Sequence, residues 1–104
     1  MYEIVLYQNK NGKEPLTVWL NGLEKKTRSR IRARILTIQA KNLGDYKRVG
    51  QGVFELRFFF DGGWRIYFGR EGKEIIVLLC GGDKSTQKRD IETAKKYWKD
   101  YKNG

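Results

Sequence analysis

The stretch "FELRFFFDGGWRIYFGR", Phe54 to Arg70, reads as two strands joined by a turn, with Arg57 and Arg65 set among aromatic residues. Side chains alternate along a strand, so Phe54, Leu56, Phe58 and Phe60 share one face and Glu55, Arg57 and Phe59 the other. In "WRIYFG", Trp64, Ile66 and Phe68 oppose Arg65 and Tyr67 in the same way. Each strand carries one apolar and one polar face.

Register decides whether those faces agree, because a slip of one residue sends a whole strand's set to the wrong side. A two-residue loop, Gly62 and Gly63, pairs Phe60 with Arg65 and mixes the faces. A three-residue loop, Asp61 to Gly63, sets Phe60 against Trp64, Phe58 against Ile66 and Arg57 against Tyr67. A five-residue loop of the same parity also matches apolar with apolar, and glycine supplies the positive φ such loops need. Parity therefore puts Glu55, Arg57, Arg65 and Tyr67 together on the face away from the core. Two readings of that face stand: a solvated surface with a Glu–Arg ion pair, or a phosphate site, since guanidinium matches phosphate oxygens bidentately.

Outward from the hairpin, Glu74 to Cys80 reads as a third strand joined through "REGK". The three make an antiparallel meander, and the "GDYKRVGQG" before it (Gly44 to Gly52) reads as loop. Tyr2 to Gln8 is a first strand ending in the turn-like "NKNGK". Pro15 opens a short helix that Asn21 and Gly22 close. Ile31, Ile35 and Ile38 give the apolar stripe of a second helix from Glu24 to about Leu43, flanked by Arg28, Arg30, Arg32 and Arg34. Gln87 to Tyr101 is a final helix with Ile91, Ala94, Trp98 and Tyr101 on one side. The expected architecture is one α+β domain over residues 1–104, with two N-terminal helices packed on a small antiparallel sheet, a C-terminal helix, and a sheet face open to solvent or ligand.

The chain of 104 residues fits a single core. Its 22 Lys and Arg against 12 Asp and Glu give a net charge of +10, which attracts phosphate polymers at long range. Cys80 is the one cysteine, so no internal disulfide forms, and its place after "IIVLL" points to a buried, inert thiol. The N-terminus lacks the basic start and long apolar run of a signal peptide, and no segment approaches membrane-spanning length. A cytoplasmic protein without a membrane partner is expected. With no histidine and one cysteine, no metal site or cofactor is expected either.

"GDYKRVGQGVFELRF" (Gly44 to Phe58), "GGWRIYF" (Gly62 to Phe68) and "VLLCGGDKSTQKRDIETA" (Val77 to Ala94) together resemble the RelE/ParE superfamily of bacterial toxins, specifically its HigB-like, phage-derived addiction-module killer proteins. The likeness runs from "PLTVWLNGL" to the final helix. It implies a toxin of a type II toxin–antitoxin system that binds the ribosome and cleaves mRNA without a metal. It also implies a cognate antitoxin, often of the helix-turn-helix kind, in a hetero-oligomer with the toxin. ParE-like members inhibit DNA gyrase instead, and a non-catalytic RNA-binding accessory protein is a third reading.

The resemblance implies that Arg65 holds the scissile phosphate with Arg57 assisting. Lys84 falls in the region after the last strand where relatives place basic, histidine or tyrosine groups, and Lys47 and Arg48 match a basic loop leading into the sheet. Relatives that use histidine for proton transfer have no counterpart here. Glu55 is then the candidate base, Lys84 or Tyr67 the candidate acid, and Lys47, Arg48 and Arg34 the groups that steer the RNA backbone.

Overall fold

The structure, a computed structural model, describes residues 1–40, 43–58, 60 and 62–104. The expected positions of Phe59 and Asp61, and the last turn of the second helix through 41–42, lie outside these residues. In chain order the elements are β1 (Glu3–Leu6), α1 (Pro15–Asn21), α2 (Lys25–Gln39), β2 (Tyr46–Gly50), β3 (Val53–Arg57), β4 (Arg65–Glu71), β5 (Ile75–Gly82) and α3 (Gln87–Asn103), with a 3-10 turn at Lys84–Thr86 before α3. The class is α+β, and both N-terminal helices pack against the sheet.

The sheet is larger than a three-stranded meander. Among the described residues it has five strands in the order β1-β5-β4-β3-β2, antiparallel except for β1, which runs parallel to β5. β2 forms where a loop was expected. Its link to β3 is a tight turn in which Gly50, Gln51 and Gly52 all take positive φ, so "GQG" is a hairpin connection rather than the end of a loop. α2 is capped at Ala40, short of Leu43.

The parity of the middle hairpin is as the pattern requires, with the pairs shifted by two residues from the three-residue-loop register. Leu56 faces Ile66, Arg57 faces Arg65 and Glu55 faces Tyr67. The Phe58 N–H donates to the Trp64 carbonyl at 3.0 Å, which leaves a five-residue connection.

The polar face is not open. Leu16 and Leu20 of α1 and Ile31 and Ile38 of α2 pack with Leu56, Ile66, Phe68, Ile76 and Leu78 on one face of the sheet. Ala94 and Trp98 of α3 pack with Val53, Tyr67, Val77 and Leu79 on the other. The correction has a local cause: β5 is apolar at consecutive positions, as a strand covered on both faces must be. Glycines admit the covering rings. A Cβ on Gly69 would lie 2.4 Å from the Trp98 ring, and one on Gly81 2.3 Å from the Trp19 ring.

Candidate functional site

Glu55 sits at the centre of the α3-covered face. Its side chain is completely buried, a position that a carboxylate holds only with compensating partners. The Tyr67 hydroxyl donates to Oε2 at 3.1 Å and the Gln87 side-chain amide donates to the same oxygen at 2.7 Å. Arg65 Nε lies 3.4 Å from Oε2, close enough for an ion pair but outside hydrogen-bond geometry. Lys47 Nζ stands 3.9 Å from Oε1, an oxygen that accepts no hydrogen bond among the described residues. Register explains the set. Lys47 is opposite Glu55 on β2, Tyr67 is opposite it on β4, and Gln87 is the first residue of α3.

Arg65 precedes Tyr67 by two places on β4, on the same face of the strand. Its side chain is 13% exposed, and Nη1 donates to the Gly63 carbonyl at 2.6 Å. Gly63, at φ +64°, sits where a Cβ would meet Arg65 Nη1 at 3.3 Å and Lys84 Cβ at 3.4 Å. The absent side chain thus lets the β3–β4 turn close against both cations. Lys84 is exposed. Beside it Asp83 caps the 3-10 turn, accepting from the Ser85 N–H at 2.8 Å and the Ser85 hydroxyl at 2.6 Å. Those hydrogen bonds hold the Asp83 carboxyl below its ordinary value.

Arg57 shares the face with Arg65 but belongs to a different pair. Its Nε and Nη2 donate to the Asp45 carboxylate at 2.8 and 3.3 Å. This fork also raises the guanidinium's pKa. The two arginines therefore stand side by side on adjacent strands, each tied to its own carboxylate. Like charges directly opposite one another destabilise a sheet unless compensated, and Asp45 and Glu55 supply that compensation.

The other expected residues divide. Lys47 adjoins Glu55. Arg48 pairs with Phe54 on the opposite face, its guanidinium 5.7 Å from that ring. Arg34, on α2, donates to the Leu43 carbonyl and the Thr37 hydroxyl. The three do not form one surface. Glu55 and Tyr67 are both fully buried and bonded to each other, and burial first, then Glu55, pushes the Tyr67 hydroxyl well above its ordinary value. Gln87 is the participant that sequence reading passed over; its only signal was its place as the first residue of the final helix.

The family model of phage-derived Gp49-like proteins (DUF891) matches residues 18–99. An uncharacterised protein from Haemophilus influenzae is 45% identical over 78 residues, which cover 74% of this chain and 79% of that protein.

Proposed function

The chain belongs to the Gp49-like family of phage-derived proteins, and from that membership and the Arg65 cluster we propose that it is the toxin of a type II toxin–antitoxin pair that cleaves mRNA on the ribosome. The observation that carries the reading is Arg65 itself, braced by a buried carboxylate at Nε and by a turn carbonyl at Nη1, next to an exposed lysine. An arginine fixed in this way is preorganised for a charge that develops during reaction, the condition under which electrostatic stabilisation contributes most. Its Nη2 makes no hydrogen bond among the described residues.

RNA carries its own nucleophile in the 2′-hydroxyl, so the chemistry has no obligatory metal. The 2′-oxygen attacks the adjacent phosphorus as its proton passes to solvent water, and the bond to the 5′-oxygen breaks as that oxygen is protonated. The products are a 2′,3′-cyclic phosphate and a 5′-hydroxyl. Arg65 binds the phosphate oxygens, and Arg57 and Lys84 add positive charge on either side. Lys84, as the exposed lysine beside that centre, is the proton donor for the leaving oxygen. Burial makes Glu55, Tyr67 and Gln87 positioning residues that hold Arg65 rather than groups that meet RNA. A cytoplasmic site of action and an antitoxin partner belong to the same reading.

Inducing the wild type and Arg65→Ala in a bacterial host, with transcript-end mapping, tests it. New ends carrying 2′,3′-cyclic phosphate in the wild type alone are expected. Growth arrest without new ends points instead to a gyrase-binding toxin, and 5′-phosphate products to attack by water.

A further inference from the structure

A cleft adjoins Arg57 on the side away from Arg65. Arg65 is beside Arg57 on β4, and on the opposite side the Arg57 backbone N–H donates to the Asp45 carbonyl at 3.0 Å, just before β2 begins. Between that junction and the C-terminal half of α2 opens a recess of about 380 Å³, a size at the lower end of small-ligand sites. Its back wall is fixed by α2. Arg34 reaches across to donate to the Leu43 carbonyl and to the Thr37 hydroxyl. Gly44, at φ +65°, leaves the room for it, since a Cβ there would overlap the Arg34 guanidinium.

The lining carries two further kinds of group. Phe58 and Phe60 supply apolar rings set edge to face, with centroids 5.9 Å apart, and the Arg30 guanidinium lies 4.6 Å from the Phe60 ring centre. Among the described residues that line the cleft, Asp45 is the one carboxylate, and its side chain is 34% exposed. Arg57 orients it through one hydrogen bond to each oxygen. A carboxylate oxygen can accept two. The cleft therefore presents a fixed pair of acceptors beside an aromatic wall, one strand away from Arg65.

We propose that this cleft receives a guanine base of the RNA strand whose backbone lies at Arg65, and that Asp45 is the residue that selects it. Guanine carries two adjacent donors, N1–H and N2–H, on one edge, and these match the two Asp45 oxygens. Adenine and cytosine set one donor beside an acceptor on that edge, and the uracil N–H lies between two acceptors. Each of those bases turns a lone pair toward the carboxylate, an arrangement that leaves buried acceptors unpaired. The rings of Phe58 and Phe60 give the base a surface to rest on. Arg57 gains a second part, because the guanidinium next to Arg65 also holds the selecting carboxylate. The inference deepens the RNA reading and rests on it for its ligand.

The test uses the full chain, isotope-labelled, titrated with short 2′-deoxy strands in which thymidines flank a central guanine, adenine or hypoxanthine, and followed by NMR. Such strands lack the 2′-hydroxyl and are not cut, so binding is read apart from cleavage. Shifts at Thr37, Gly44, Phe58 and Phe60 are expected with the guanine strand, which should bind about tenfold more tightly than the adenine strand. The hypoxanthine strand, without the N2 amine, should fall between them. Asp45→Asn should bring guanine and adenine to equal affinity, and Phe60→Ala should weaken all strands by about tenfold while keeping their order. A loosened Arg57 would weaken every strand and leave the ratio of guanine to adenine unchanged, so that ratio reports on Asp45. Equal affinity of the wild type for guanine and adenine, a guanine preference that survives Asp45→Asn, or shifts away from the cleft would each overturn the inference. So would free guanosine monophosphate binding as tightly as the guanine strand. Any of these results leaves RNA cleavage to be judged by transcript-end mapping, and selective binding without new transcript ends would overturn cleavage and not the cleft.

Discussion

Arg65 and Glu55 are an ion pair with one partner wholly inside the protein and the other only 13% exposed, Nε standing 3.4 Å from Oε2. The carboxylate also accepts from Tyr67 and Gln87. Strand β3, strand β4 and helix α3 thus all contribute to the orientation of a single guanidinium.

Arg65→Ala should lower RNA cleavage by roughly 10² to 10³ while the circular dichroism spectrum and chain dimensions stay unchanged. Arg57→Ala should lose less, because Asp45 already occupies two donors of that guanidinium. Rates on a defined transcript, measured with purified ribosomes, give both numbers. Equal losses would show that Asp45 releases Arg57 during the reaction.

Removing the buried carboxylate should harm the fold more than removing the arginine. Glu55→Ala takes away the acceptor that the Tyr67 hydroxyl and the Gln87 amide share and leaves Arg65 without its buried counter-charge, and breaking a buried pair in this way costs about 3 to 5 kcal/mol. Glu55→Gln keeps the volume but brings an N–H₂ group against donors, so it should fall between wild type and Glu55→Ala. Urea unfolding of the three proteins checks the order.

Gly69→Ala tests the packing of α3 on the sheet. The added methyl would lie 2.4 Å from the Trp98 ring, which is itself 5% exposed. Overpacking of this kind costs about 1 to 3 kcal/mol. Trp98→Leu in the Gly69→Ala background should recover part of the loss in a thermal melt, and failure to do so would place the strain in the backbone of β4.

Stability should fall at alkaline pH. Burial raises the Cys80 thiol from an ordinary 9.0 to about 12, with Asp90 adding to the effect. It raises the Tyr67 hydroxyl from its ordinary 10.0 as well. Both groups keep their protons in the native state at pH values where the unfolded chain has released them. Their stabilisation is therefore complete below about pH 9 and is lost as pH rises through the native values. Denaturation midpoints between pH 7 and 11 should decline, and Cys80→Ala should flatten the first part of that decline. The same burial predicts that a thiol reagent labels Cys80 only after unfolding.

Much of this molecule is readable from local pattern. The α2 stripe of Ile31, Ile35 and Ile38, the Pro15 start of α1 and the final helix follow from spacing. The shared face of Arg57 and Arg65 follows from hairpin parity. The site's actual partners are not local. Asp45 reaches Arg57 because β2 pairs with β3, and Gln87 reaches Glu55 across a sequence separation of 32 residues. The strand at Tyr46–Gly50 is hidden because its charges and the glycines at its end and on either side resemble a loop until a neighbour supplies its hydrogen bonds.

By itself, the order of residues determined the alternation that gives each strand two faces, the basic charge and where the helices begin, because these depend on near neighbours along the chain. The tertiary structure alone decided that α3 covers the second face, that β1 lies parallel to β5, and that Glu55 is buried as a brace. Each of these depends on which distant apolar surfaces meet, and burial in turn governs what a carboxylate or an arginine can do.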